Sequence, residues 1–178
     1  MKNLIMLTVA VATLSTMAIA GGLEVGDRVG AFYVKDVTGP AAGQKLCYRC
    51  RYGQKPVVSI FARNMDGNVA SLVKSVDGVV SQNKAKDMAA FVVLLSDAPE
   101  ASEGNLKEVA KAKGISSTPL TTFDGVTGPP SYNISKDAEV TVMMWVGGQV
   151  KVSEELKASE LTKEKINSLV GKTNTILN

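Results

Sequence analysis

The chain has 178 residues, 45% of them hydrophobic and 21% charged, with 20 lysines and arginines, 17 acids and no histidine. That length suits one domain of about 100 to 200 residues, and the balance excludes a disordered or fibrous chain and argues against nucleic acid or another polyanion as partner. The missing imidazole excludes Ser-His and Cys-His nucleophiles, a His-Glu-x-x-His zinc site and any histidine acid or base.

Met1-Lys2-Asn3 leads into an apolar run from Leu4 to Ile19, with Ala18 and Ala20 as small residues before a cleavage point. The pattern is that of a secretory signal, too short and too weakly flanked for a lasting membrane anchor. The expectation is a signal peptide over residues 1–20 and a single exported domain over 21–178, periplasmic or extracellular and off the membrane after cleavage.

Pro56 to Ala62 and Ala89 to Leu95 are near-continuous apolar runs, the mark of strands covered on both faces in a parallel sheet. Between them Val69, Leu72, Val73, Val76, Val79 and Val80 recur at intervals of three and four, which predicts an amphipathic crossover helix over Gly67–Gln82. Leu106, Val109 and Ala110 mark a second helix ended by Gly114. A short strand is predicted over Thr118–Phe123, with proline near its start. Residues 140–146 and 150–152 alternate about Gly147-Gly148 as a β-hairpin, and Thr162 is placed to cap a last helix carrying Ile166, Leu169 and Val170. This order predicts an α/β chain with the thioredoxin-like fold, a central mixed sheet flanked by helices.

Chemistry in this chain centres on its two cysteines, Cys47 and Cys50, in Cys47-Tyr48-Arg49-Cys50. In an oxidising compartment such a pair becomes a disulfide. An extended backbone would hold the two Cα atoms about 10 Å apart, beyond the ~7 Å limit for bridging, so a bridge requires a turn or helical turn. The ring is small, and its loop-closure stabilisation falls below the ~3 kcal/mol of a loop of about 15 residues. Three readings remain open: a redox-active pair, a structural bridge and a metal site. Zinc normally takes four ligands, so two thiolates would suit a soft ion such as Cu(I) or a site shared by two chains. Met143 and Met144 read as sheet residues instead of thioether ligands, and no cofactor or metal is expected. Lys45, Arg49, Arg51 and Lys55 surround the pair with positive charge that would stabilise a thiolate, with Arg49 and Arg51 the nearest candidates for lowering its pKa.

The stretch Val25 to Pro40, with its Gly26-Asp27, Phe32 and Asp36-x-x-Gly39, resembles the opening of the redoxins. These are thioredoxin-like proteins that include thiol peroxidases and exported disulfide reductases. With the strand at Lys55 to Ala62 and Ser117-Thr118-Pro119, the likeness runs over most of residues 21–178 and implies an N-terminal β extension. It also implies a thiol-disulfide oxidoreductase acting on a protein thiol or disulfide partner, with Cys47 attacking and Cys50 resolving. Thr118 and Pro119 are then implied as substrate-binding residues, Pro119 standing for the family's cis-proline. One departure is plain: redox-active members carry Cys-x-x-Cys where the first core strand enters the next helix, and here that junction reads Arg63-Asn64-Met65-Asp66-Gly67-Asn68. Arg63 reads there as a plain strand-end arginine, the alternative being a residue that orients an anion or pairs with Asp66. The alternative to an enzyme is a non-catalytic exported binding protein of the same fold, with the bridge as a local clip.

Overall fold

The computed structural model describes residues 21–178, and the signal-peptide expectation on residues 1–20 lies outside them. The chain forms β1 (Val34–Asp36), β2 (Lys45–Leu46), α1 (Tyr48–Tyr52), β3 (Val57–Ala62), α2 (Gly67–Gln82), β4 (Ala89–Ser96), α3 (Pro99–Lys113), β5 (Leu120–Asp124), β6 (Val140–Val146), β7 (Gln149–Leu156), α4 (Lys163–Gly171) and α5 (Asn174–Leu177). One seven-stranded sheet runs in the order β2-β1-β5-β4-β3-β6-β7. Strands β3, β4 and β5 are parallel, while β6 is antiparallel to β3, β7 to β6, β1 to β5 and β2 to β1. This is the mixed α/β sheet expected, extended at one edge by the N-terminal β1–β2 pair.

The crossover helix forms because Asp66 accepts from Asn68 N–H and Val69 N–H, both at 2.9 Å, and thereby satisfies two of the free donors at its start. Its Val69, Leu72, Val73, Val76 and Val80 are buried, and that packing offsets the weak helix propensity of valine. Gly114 closes α3 with φ at 62°, and Gly147 and Gly148 turn the β6–β7 hairpin with φ at 59° and 75°, as a primed turn requires. The strand after Pro119 starts at Leu120, because Pro119 contributes only its carbonyl, to Val92 N–H at 2.9 Å.

The sheet separates two cores of different chemistry. Val58, Ile60 and Ala62 of β3 face an aliphatic layer with α2 and α4. Val57 and Phe61 face the other side, which gathers Phe32, Tyr48, Phe91, Tyr132 and Trp145. Tyr48 stacks on Phe91 with centroids 5.3 Å apart, so α1 is seated on the aromatic face by its first residue. Met143 and Met144 are fully buried on opposite faces of β6.

Candidate redox site

Cys47 and Cys50 are joined by a disulfide with Cα atoms 5.2 Å apart, within bridging range. The helical turn that makes this possible is α1, whose N-cap is Cys47: its Sγ accepts from Cys50 N–H at 3.1 Å. Cys47 is 7% exposed, whereas Cys50 lies on the outer side of the turn and is exposed. Access therefore runs opposite to the order implied by the resemblance, with the second cysteine of the motif facing solvent and the first facing the protein.

Two tyrosines hold the turn. Tyr48 donates its hydroxyl to Asp36 Oδ2 at 2.9 Å, and the same carboxylate accepts from Gly39 N–H at 2.7 Å and Ala41 N–H at 2.8 Å. The Asp36-x-x-Gly39 motif is thus a tight turn built around a buried carboxylate. A side chain on residue 39 would sit 2.6 and 2.7 Å from its two oxygens. Burial, and then the Asp36 bond, push the Tyr48 hydroxyl far above the ordinary phenol range, so it stays a donor. Tyr52, also pushed up by burial, donates to Ala90 O at 3.3 Å. Gly147 N–H donates to Gln54 O and Ala89 N–H to Pro56 O, which fixes the segment after α1 at the end of the sheet where β3 begins.

The two arginines diverge. Arg49 Nε donates to Val29 O at 3.2 Å, and its guanidinium lies against the backbone of Gly148. Arg51 points outward beside Tyr52, and among the described residues it forms no ion pair. Lys55 is paired with Asp87 at 2.9 Å, an acid the local sequence did not offer. With the buried Asp36 carboxylate behind Tyr48, the positive setting of the disulfide is weaker than sequence neighbours alone suggest, and it rests on Lys45, Arg49 and Arg51.

Thr118 and Pro119 do come near α1. They line an open cleft of about 550 Å³ together with Arg51, Tyr52, Gly39 and Pro40. The loop before them is held from α2, where buried Asp77 accepts from Ser116 N–H at 3.1 Å and Ser117 N–H at 2.6 Å. The expected cis bond is absent, for every peptide bond among the described residues is trans. Pro119 leads β5, which β4 separates from β3.

At the opposite end of β3, roughly 17 Å along its six residues, the junction without cysteine begins with Arg63, whose guanidinium bonds to backbone carbonyls. Arg63 forms no ion pair with Asp66, and its charge acts on the carboxyl of Glu155. Its Nε donates to Ala138 O at 2.7 Å, Nη2 to Ser135 O at 2.9 Å and Nη1 to Val126 O. The guanidinium thus staples together loops that lie 63 to 75 residues away in the chain. Asp66 is engaged in capping α2.

No family model matches the sequence, and no curated protein matches it either. Solved structures do. A solution structure from Bacteroides thetaiotaomicron, described as a candidate protein disulfide isomerase, is similar over 90% of this chain and 94% of its own, with TM-score 0.67 and 16% identity. The thioredoxin domain of a thiol-disulfide oxidoreductase from Bacteroides vulgatus is similar over 83% of this chain and 99% of its own, with TM-score 0.58 and 14% identity. Mycobacterium tuberculosis AhpC is similar over 88% and 99%, with TM-score 0.67 and 9% identity. With the sheet order and the Cys47–Cys50 bridge already described, these likenesses give the chain a thioredoxin-like fold carrying a Cys-x-x-Cys disulfide.

Proposed function

We propose that the protein is an exported thiol-disulfide oxidoreductase that exchanges electrons with a protein partner through Cys50 and Cys47, from the end of the sheet opposite the usual junction. The observation that supports this most is the exposed Cys50 in a ring too small to serve well as a staple. A partner thiolate attacks Cys50 Sγ, the Cys47–Cys50 bond breaks, and Cys47 leaves as a thiolate beside the Cys50 N–H. A second partner thiolate then attacks the partner sulfur of the mixed disulfide and releases Cys50. The partner is oxidised by two electrons, the protein is reduced by two, and the reverse sequence reduces a partner disulfide.

In this reading Thr118 and Pro119 form the wall of the cleft on which the partner chain rests, Arg51 favours the thiolate, and Arg49 acts by holding α1 against Val29. Signal-directed export places the pair where a disulfide persists. One observation favours the non-catalytic alternative: Cys47 is buried, and the junction where redox-active redoxins carry their cysteines has none here. Insulin reduction assayed beside Cys50→Ala, with the potential of the bridge measured in the same preparation, separates the two. Catalysis lost in the variant and a potential well above about −300 mV support the oxidoreductase. Equal rates for wild type and variant leave the binding protein.

A further inference from the structure

Glu155 of β7 pairs across the ladder with Thr141 of β6, and the fold treats its two carboxylate oxygens unequally. Oε1 accepts from Ser135 N–H at 3.1 Å, while Oε2 is buried and has no hydrogen-bond partner among the described residues. The charge acting on this group is that of Arg63, whose guanidinium is already bonded to three carbonyls. Burial pushes the Glu155 carboxyl above its ordinary range, with Ser135 N–H and Arg63 working against that rise. A dry carboxylate oxygen without a donor calls for a cation.

The backbone beside it is that of Gly21 and Gly22. A point one bond from Gly21 Cα lies 3.4 Å from Glu155 Oε2, and the corresponding point on Gly22 lies 2.9 Å from Oε1. Gly22 N–H donates to Asn133 O, which fixes the approach. Gly21 is also the residue that signal cleavage after Ala20 would make the first of the chain.

We propose that Glu155 Oε2 is a socket for the chain's own amino terminus, occupied by the ammonium group of Gly21 once the Ala20–Gly21 bond has been hydrolysed. This rests on the export reading given above. In the hydrolysis, carried out by a leader peptidase, water adds hydroxyl to the Ala20 carbonyl carbon and hydrogen to the Gly21 nitrogen. The new carboxylic acid gives its proton to the amine, leaving a carboxylate and an ammonium with three donors. An unprocessed chain has only a neutral amide at that nitrogen.

The consequence reaches the disulfide. From Gly21 the arm runs along β7, with Gly26 N–H donating to Val150 O, Val150 N–H to Asp27 O and Val29 N–H to Gly148 O. Val29 O then accepts Arg49 Nε from α1. Anchoring Gly21 fastens the arm that steadies the helix bearing Cys47 and Cys50.

Both buried cores are built from residues 29–176, so a chain beginning at Gly21 retains the complete fold described here. Chains beginning at Gly21 and at Ala20, released from a fusion with defined termini, are compared by carbon-detected NMR titration of Glu155 and by amide exchange of Gly26 and Val29. The socket predicts a Glu155 midpoint about one to three pH units lower with the Gly21 terminus, slower exchange in the arm, and loss of the terminus dependence of arm exchange in Glu155→Gln. Identical midpoints with the two termini overturn it, and this comparison stands even if Glu155→Gln does not fold. The mass of the amino-terminal peptide from the exported protein is a separate test: a terminus other than Gly21 refutes the processing step, while matching midpoints refute the socket itself.

Discussion

Replacing Tyr48 by phenylalanine removes one oxygen from the clamp that seats the Cys47–Cys50 turn and leaves the ring stacked on Phe91. The lost bond is buried and ends on a carboxylate at 2.9 Å. Hydrogen bonds to charged groups are worth about 1.5–3 kcal/mol. Asp36 keeps its donors from Gly39 and Ala41, which places the cost at the lower end, about 1.5–2 kcal/mol. At roughly 2–4 °C per kcal/mol for a domain of this size, Tm falls by about 3–8 °C. Tyr52→Phe is the internal control, because its bond is to a neutral carbonyl at 3.3 Å. It should cost about 0.5–1 kcal/mol, or roughly 1–4 °C. The assay is thermal and urea unfolding followed by circular dichroism, with the bridge verified intact by thiol titration. A Tyr48→Phe protein no less stable than Tyr52→Phe would refute the claim that the Asp36 turn holds the Cys47–Cys50 helix.

Three further outcomes are expected. Gly39→Ala forces a methyl against both Asp36 oxygens and should cost about 1–3 kcal/mol in urea unfolding. Gly78→Ala, with open space around it inside α2, should gain about 0.5–1 kcal/mol in the same assay. Arg63→Met leaves three carbonyls without their donor and should cost about 2–4 kcal/mol; if stability is unchanged, the guanidinium is no staple. For Glu154, burial alone would raise the carboxyl pKa, but bonds from Lys165 and Lys172 outweigh it and hold the group below its ordinary range. A depressed acid stabilises the fold above its unfolded pKa, near 4.5, and that contribution disappears as pH falls through the lower folded value. Wild type should therefore exceed Glu154→Gln in Tm at pH 7, and the gap should narrow as pH falls below 4.5 and through the lower folded value. A gap independent of pH would contradict the ion pairs.

Local pattern was enough to delimit much of the fold. The three-and-four spacing of Val69 to Val80 bounded α2 at Gly67–Gln82, and the apolar runs marked β3 and β4, because helical and extended periods are written in neighbouring residues. The Cα limit on bridging likewise required a turn at Cys47–Cys50, and a single helical turn is what forms. Access within that turn was not legible, since it depends on which side of α1 meets Phe91 and Asp36. The fate of Arg63 was equally hidden, being decided by carbonyls at residues 126, 135 and 138. Pro119 shows the opposite case: its local context matched a cis-proline motif, but its peptide bond is trans. Lys55 appeared unopposed until the fold brought Asp87 to it.

The central claim is that an incoming thiol meets Cys50 and displaces Cys47. Cys47→Ala and Cys50→Ala proteins, each with one remaining thiol, are incubated with oxidised glutathione and with a model disulfide protein, and the mixed disulfides are counted by intact mass over time. Cys47→Ala, which retains Cys50, should form the adduct at least tenfold faster. Faster adduct formation by Cys50→Ala, through Cys47, would contradict the account.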